Sequence, residues 1–255
     1  MLKIPFVQFV IAVCLLGTTL AAQAKDLPAP IKAIEAQGVE VMGTFAAPGG
    51  LTGYAGTIDQ HPLAIYLTAD GKQAIIGTMV DATGANLSEE PLDKLVRKPM
   101  TVKIWKQLEK STWIADGSNS APRIVYVFTD PNCPYCNKFW NDARPWVKAG
   151  KVQLRDVIVA ILTPTSAGKA AALLSAKDPQ VALTRHELKY AKGGVKPLGR
   201  ISAQISAQLD ANQNLMQQIG STATPTIFYK DASGNLQNIQ GAPPAQMLAK
   251  IFGPR

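Results

Sequence analysis

The chain has 255 residues, enough for two domains. With 47% hydrophobic and 17% charged residues its composition is that of an ordinary soluble protein, which excludes disordered and fibrous classes. The net charge of +8 is dispersed, with no basic run and no nucleic-acid motif, so it points to solubility and weak steering of acidic partners, not to nucleic acid.

At the N-terminus, Lys3 precedes an apolar stretch from Ile4 to Leu20, and Ala22-Gln23-Ala24 supplies an A-x-A cleavage site. A membrane anchor would need a similar stretch, but this one is at the lower limit for spanning and small residues end it. Residues 1–24 are therefore expected to be a cleaved secretory signal, with the mature chain starting near Lys25 outside the cytoplasm. Cys14 leaves with it, so of 3 cysteines only Cys133 and Cys136 remain. Exported proteins usually use cysteines as staples across long loops. A pair this close in sequence closes almost no loop, so its value must be chemical.

A short helix is expected over 30–37, with Pro30 at its start and Gly38 at its stop. Four strand-like runs follow, Val39–Phe45, Leu51–Ile58, Pro62–Thr68 and Gln73–Val80, separated by Pro48-Gly49-Gly50, Asp59-Gln60 and Asp70-Gly71. One helix and a meander make a thin core that needs a partner surface. Residues 86–100, with Pro91 and Pro99, read as a connector, and Thr101–Lys110 as a helix with Ile104, Trp105 and Leu108 on one face. A second domain begins near Ser111. Its first expected strand is the continuous apolar run Arg123–Thr129, typical of a buried central strand. The turn Asp130-Pro131-Asn132 leads into Cys133-Pro134-Tyr135-Cys136 and a helix that reaches Gly150, with a kink or break expected at Pro145. Val152–Leu162 reads as a second buried strand. Residues 165–220 are helical in character: Ala170–Leu174, a cap at Asp178-Pro179, and Ile201–Ile219 ending at Gly220. A hairpin of Thr226–Tyr229 and Leu236–Gln240 and a last helix from Pro244 to Phe252 complete the chain.

A Cys-x-x-Cys pair on a strand-to-helix turn is a redox device. The first cysteine sits where unpaired N–H groups and the helix dipole stabilise a thiolate. Cys133 is therefore expected to be the exposed, low-pKa nucleophile. Cys136, one turn further in, would attack the mixed disulfide and release the client. Pro134 fits a first helical turn. Half of a zinc site would use the same pair, but zinc needs more ligands and only His61 and His186 remain, singly placed. No metal and no cofactor are expected. Thr224-Pro225, ahead of the apolar Ile227-Phe228-Tyr229, is expected to be a cis peptide facing the dithiol, as at this point of thioredoxin-like folds.

Several segments carry a family resemblance: Leu27-Pro28-Ala29-Pro30-Ile31, Phe45-Ala46-Ala47-Pro48-Gly49-Gly50, Ile65-Tyr66-Leu67-Thr68, Ile124 to Phe128 with Asp130-Pro131, and Ala143-Arg144-Pro145-Trp146-Val147. Over essentially the whole mature chain the sequence resembles the periplasmic protein-disulfide isomerases of the DsbC/DsbG family. Cys-Pro-Tyr-Cys and the absence of further cysteines match the DsbG branch. Glutaredoxins share the tetrapeptide, but the signal and the N-terminal segment argue against them.

The resemblance implies an α+β fold. Residues 25–88 would form a cystatin-like dimerisation domain, 89–111 a linker with a helix, and 112–255 a thioredoxin-like α/β domain with a helical insertion. It implies a V-shaped homodimer whose dithiol the membrane reductase DsbD keeps reduced. Disulfides and sulfenic-acid cysteines of exported client proteins would be its substrates, with some chaperone activity. Cys133 and Cys136 map onto the catalytic pair, and Thr224, Pro225, Pro134 and Tyr135 onto the client-binding rim. One departure is Val127, which stands where the superfamily has a buried acid, so proton transfer must use water or another group. Another is the basic net charge, where DsbG is associated with an acidic cleft. A DsbA-type oxidase would have to leave its dithiol accessible to an oxidising membrane partner, which a dimer hinders. A holdase would use an apolar cleft, with the cysteines secondary.

Overall fold

A computed structural model describes residues 27–254; the expected signal, 1–24, lies outside them. The fold is α+β, as expected. α1, Ala29–Glu35, starts behind Pro28 and buries Ile31 completely. β1 (Glu40–Ala46), β2 (Thr52–Ile58), β3 (His61–Leu67) and β4 (Ala74–Ile76) form an antiparallel meander in chain order. Between β2 and β3, Asp59 and Gln60 both take positive φ (47° and 67°), as in the two-residue turn whose twist suits a hairpin. One face of the sheet packs Tyr54, Ile65 and Leu67 under Ile31 of α1. The other packs Ala55, Ala64 and Tyr66 against Leu92 and Val96. β4 is shorter than the expected 73–80, and Ile75 and Ile76 are exposed on it.

The connector expected at 86–100 is instead helical. α2 (Glu89–Leu92), a π turn (Asp93–Arg97) and α3 (Lys98–Lys110) follow one another without a break. Pro91 falls in the first turn, where its missing N–H costs nothing. Pro99 lies just after the widened turn, in which the Lys98 N–H reaches the Asp93 carbonyl, so both prolines are absorbed. Leu92 and Val96 pack on the first sheet, while Ile104 and Leu108 pack on the second.

The second sheet has the order β5-β7-β6-β8-β9, built from Trp113–Asp116, Val152–Ile158, Arg123–Thr129, Thr226–Lys230 and Leu236–Gln240. β6 and β7 are parallel and joined by α4, Pro134–Lys148. Between β7 and β8 come α5 (Ser166–Leu174), α6 (Pro179–Leu188) and α7 (Ala203–Gln218); α8, Ala245–Phe252, closes the chain. α4 and α8 cover one face through Phe139, Trp140, Trp146, Leu248 and Ile251; α3 and α7 cover the other.

Three expectations are corrected here. The edge strand β5 has no counterpart in the sequence reading, being four residues long. α4 runs through Pro145 as one helix. β7 ends at Ile158, not Leu162, because the N–H groups of Ile161 and Leu162 turn to the Asp130 carboxylate.

Candidate active site

β6 carries the chain to the centre of the sheet edge, and Asp130 stops it. The buried Asp130 carboxylate accepts from the N–H groups of Asn132, Ile161 and Leu162 and from the Ser166 hydroxyl, at 2.8–3.0 Å. The insertion holds the rest of the turn. The Pro131 carbonyl accepts from His186 at 2.9 Å, and the Asn132 carbonyl from the Tyr190 hydroxyl at 2.8 Å. Asn132 Nδ2 donates to Thr163, Thr165 and Ser166, and its Oδ1 accepts from Lys169. His186 is buried and neutral: Nδ1 accepts from the Val195 N–H at 3.0 Å, so the proton sits on Nε2. Both ring nitrogens are thus committed to backbone, and burial pushes the imidazole's pKa down. His61 is exposed on β3.

Cys133 is the N-cap of α4, and its Sγ accepts from the Cys136 N–H at 3.2 Å. The protonated thiol can donate to the Thr224 carbonyl at 3.3 Å. The Cys136 thiol is the main support of the charged form, which the Thr224 hydroxyl and the N–H groups of Cys136 and Tyr135 also favour. Together they outweigh burial and lower the pKa of Cys133 to about 6. Cys136 moves the other way: burial and the neighbouring Cys133 sulfur push it well above its ordinary value. One sulfur is thus a nucleophile near neutral pH and the other a protonated reserve.

The expectation of an exposed nucleophile is corrected. Cys133 is only 2% exposed and Cys136 3%, because the first sulfur tucks between the Cys136 N–H and Thr224. Tyr135 stands out instead, 63% exposed, beside Pro134 at the head of the helix. The Thr224–Pro225 bond is cis, as expected, and the Pro225 carbonyl accepts from Gly241 at 2.7 Å. All six residues singled out from the sequence therefore belong to two chain segments that meet at the contact between Cys133 and Thr224.

Sequence reasoning missed a set of buried charges behind α4. Val127 is indeed apolar and buried, but Asp156 of β7 lies beside it in register. Burial, then the charges of Asp116 and Glu187, push the Asp156 carboxyl well up. Asp116 of β5 pairs with Arg144 of α4, whose Nη1 donates at 3.0 Å. Glu187 of α6 is 6% exposed and accepts from Asn137 Nδ2 at 2.7 Å; burial raises its pKa to about 7. Acids on a short strand and an insertion helix carry no sequence signal that separates them from solvated ones.

A family model described as a thioredoxin-like domain matches residues 113–253. The thiol:disulfide interchange protein DsbG of Pseudomonas aeruginosa is 50% identical over 94% of this chain and 94% of its own. DsbG of Escherichia coli is 43% identical over 91% of this chain and 94% of its own. Among solved structures, the catalytic domain of Proteus mirabilis ScsC superposes with a TM-score of 0.50 at 19% identity, over 61% of this chain and 96% of that one, a likeness of fold alone.

Proposed function

Since the chain belongs to the DsbG family of thiol:disulfide interchange proteins and is a thiol–disulfide oxidoreductase, we propose that it serves as a periplasmic disulfide isomerase and reductase for exported clients. The observation that carries this reading is the placing of the two sulfurs: Cys133 caps α4 and accepts from the Cys136 N–H at 3.2 Å, with Cys136 buried one turn further in, an arrangement that lowers the first thiol and raises the second.

In this reading the Cys133 thiolate attacks one sulfur of a client disulfide. A Cys133–client bond forms, the client S–S bond breaks, and the electron pair leaves on the second client sulfur. From the mixed disulfide, Cys136 attacks Cys133 and releases a reduced client. Alternatively, another client thiolate displaces Cys133 and leaves a rearranged pairing. A sulfenic-acid cysteine would be taken up in the same way, with hydroxide as the leaving group. Tyr135, Pro134, Thr224 and Pro225 border the sulfur and would receive the client backbone. The exposed Ile161, Leu162 and Leu188 offer apolar surface close by in the insertion. The dithiol would be kept reduced by a membrane reductase such as DsbD. Among the described residues no helix is long and apolar enough to cross a membrane. We also assign the first sheet to homodimerisation.

The direct test is to express Cys136→Ala in the periplasm. Mixed disulfides through Cys133 should accumulate and identify the clients, and prior alkylation of sulfenic acids should remove part of them. Failure to trap any exported protein would refute the assignment.

A further inference from the structure

Resolution of the mixed disulfide needs Cys136 as a thiolate, yet Cys136 is buried and held neutral. Its proton must pass to some group in a region with almost no solvent. The neighbours can be taken in turn. Val127 has no titratable atom. Asp130 spends its carboxylate on three N–H groups and the Ser166 hydroxyl. Both nitrogens of His186 are occupied, and the Tyr190 hydroxyl donates to Asn132. Arg144 is held by Asp116, and Asp156, in register with Val127, is kept neutral by burial and so has no carboxylate to accept a proton.

Glu187 is different. Asn137, the residue after Cys136, donates through Nδ2 to the Glu187 backbone carbonyl at 2.9 Å and to Oε2 at 2.7 Å. These bonds tie α6 to the turn that bears both sulfurs. Asn137 reaches Oε2 alone, and the side chain keeps a sliver of solvent contact. We propose that Glu187 is the proton carrier of the dithiol site: protonated while Cys133 is a thiolate, it ionises when that charge is spent and takes up the proton of Cys136.

The charges around it fit this cycle. Burial, Asp116 and the Cys133 thiolate favour the neutral acid, and Asn137 and Arg144 favour the carboxylate. With Cys133 lowered to about 6 and Glu187 raised to about 7, thiolate and neutral acid coexist between those values. When Cys133 attacks, its charge moves to the leaving sulfur of the client, and the repulsion holding the proton on Glu187 ends. Glu187 gives that proton to the leaving thiolate, or to a leaving hydroxide, which becomes water. The carboxylate then accepts the Cys136 proton, and Cys136 attacks the Cys133 sulfur. The bond between Cys133 and the client breaks, and the client leaves as a thiolate that solvent protonates. The dithiol is oxidised to a disulfide, the client gains two electrons, and Glu187 returns to its starting state.

The proposal rests on Cys136 being the resolving thiol, and one measurement separates the two. Stopped-flow mixing of the reduced full-length protein with a small aromatic disulfide should release two chromophoric thiols in sequence, first by Cys133 attack and then by resolution. Absence of the second release in the unsubstituted protein would overturn the resolving role itself. Glu187→Gln keeps an acceptor for Asn137. It should leave the thiolate midpoint of Cys133 unchanged and alter the first phase little, because an aromatic thiolate leaves without needing a proton, but slow the second phase about tenfold or more near neutral pH. The deficit should close at alkaline pH, where Cys136 ionises unaided, and Glu187→Asp should recover part of the rate. A second phase with unaltered rate and pH profile would overturn the proposal. So would a loss of both phases, which would make Glu187 a brace for the turn.

Discussion

At the scale of single residues, two facts about sulfur decide the chemistry. The low pKa of Cys133 rests first on the Cys136 thiol and only then on the helix N-terminus. Ultraviolet titration of the reduced protein should therefore give a thiolate midpoint of about 6. Cys136→Ala should raise it, though not to the ordinary value, because the N–H groups of Tyr135 and residue 136 remain. A midpoint indifferent to Cys136 would contradict the hydrogen-bond account. The same shift appears in stability. A thiol depressed on folding adds stability that is fully present above its unfolded value of about 8.5 and is lost as pH falls through about 6. The disulfide form lacks this group. Urea unfolding of both forms should show the reduced protein gaining on the oxidised one as pH rises between those limits; a pH-independent difference would count against it. Asp130 plays a structural part at the same turn. Asp130→Ala leaves the N–H groups of Asn132, Ile161 and Leu162 without their acceptor and should cost about 3 kcal/mol or more in chemical unfolding.

At the scale of elements, the sequence was most readable where a buried strand met an uninterrupted apolar run. Arg123–Thr129 has those bounds in the structure, and the helix bearing the dithiol begins at Pro134 as its motif implied. Prolines misled the reading, because Pro91, Pro99 and Pro145 sit at a first turn, after a π turn and inside a continuous helix. Trp113–Asp116 was invisible because four residues give too little alternation to separate a strand from a loop. The Cys133, Cys136, Thr224 and Pro225 constellation was legible from motif chemistry. The insertion's grip on the turn was not, since it depends on side chains such as Asn132 and Tyr190 meeting across long sequence separations. That grip can be tested as a unit. Asn132→Ala removes the bonds to Thr163, Thr165, Ser166 and Lys169 together. Hydrogen exchange should then rise over residues 161–169 and in the turn, while β6 and β7 stay protected. Unchanged exchange in the insertion would show that other contacts hold it.

At the scale of the whole molecule, the question is how the first sheet is completed. β4 is one of its two edges, three residues long, and leaves a row of backbone groups for pairing. Ile75 and Ile76 on it and Val80 beyond it are 59%, 53% and 57% exposed, more apolar surface than a small meander ordinarily gives to water. A second copy of the chain offers the same edge and the same side chains, so a two-fold interface would satisfy both. Sedimentation equilibrium of the protein should give twice the chain mass, and Ile75→Lys with Ile76→Lys should reduce it to one chain without unfolding either sheet. The helix that joins the sheets decides where a truncation that removes the first sheet can fall. Ile104 and Leu108 of α3 belong to the core built on Tyr126, Phe128 and Phe228, and the Leu236 N–H donates to Thr101 at 2.9 Å. A fragment cut at Ser111 would strip that face and expose its aromatic side chains, whereas one starting at Lys98 keeps the cover. The longer fragment should therefore be a folded monomer that still reduces a small disulfide, and the shorter one should unfold or aggregate. A full-length protein that sediments as a monomer, or a Lys98 fragment that still forms dimers, would remove the first sheet from the interface.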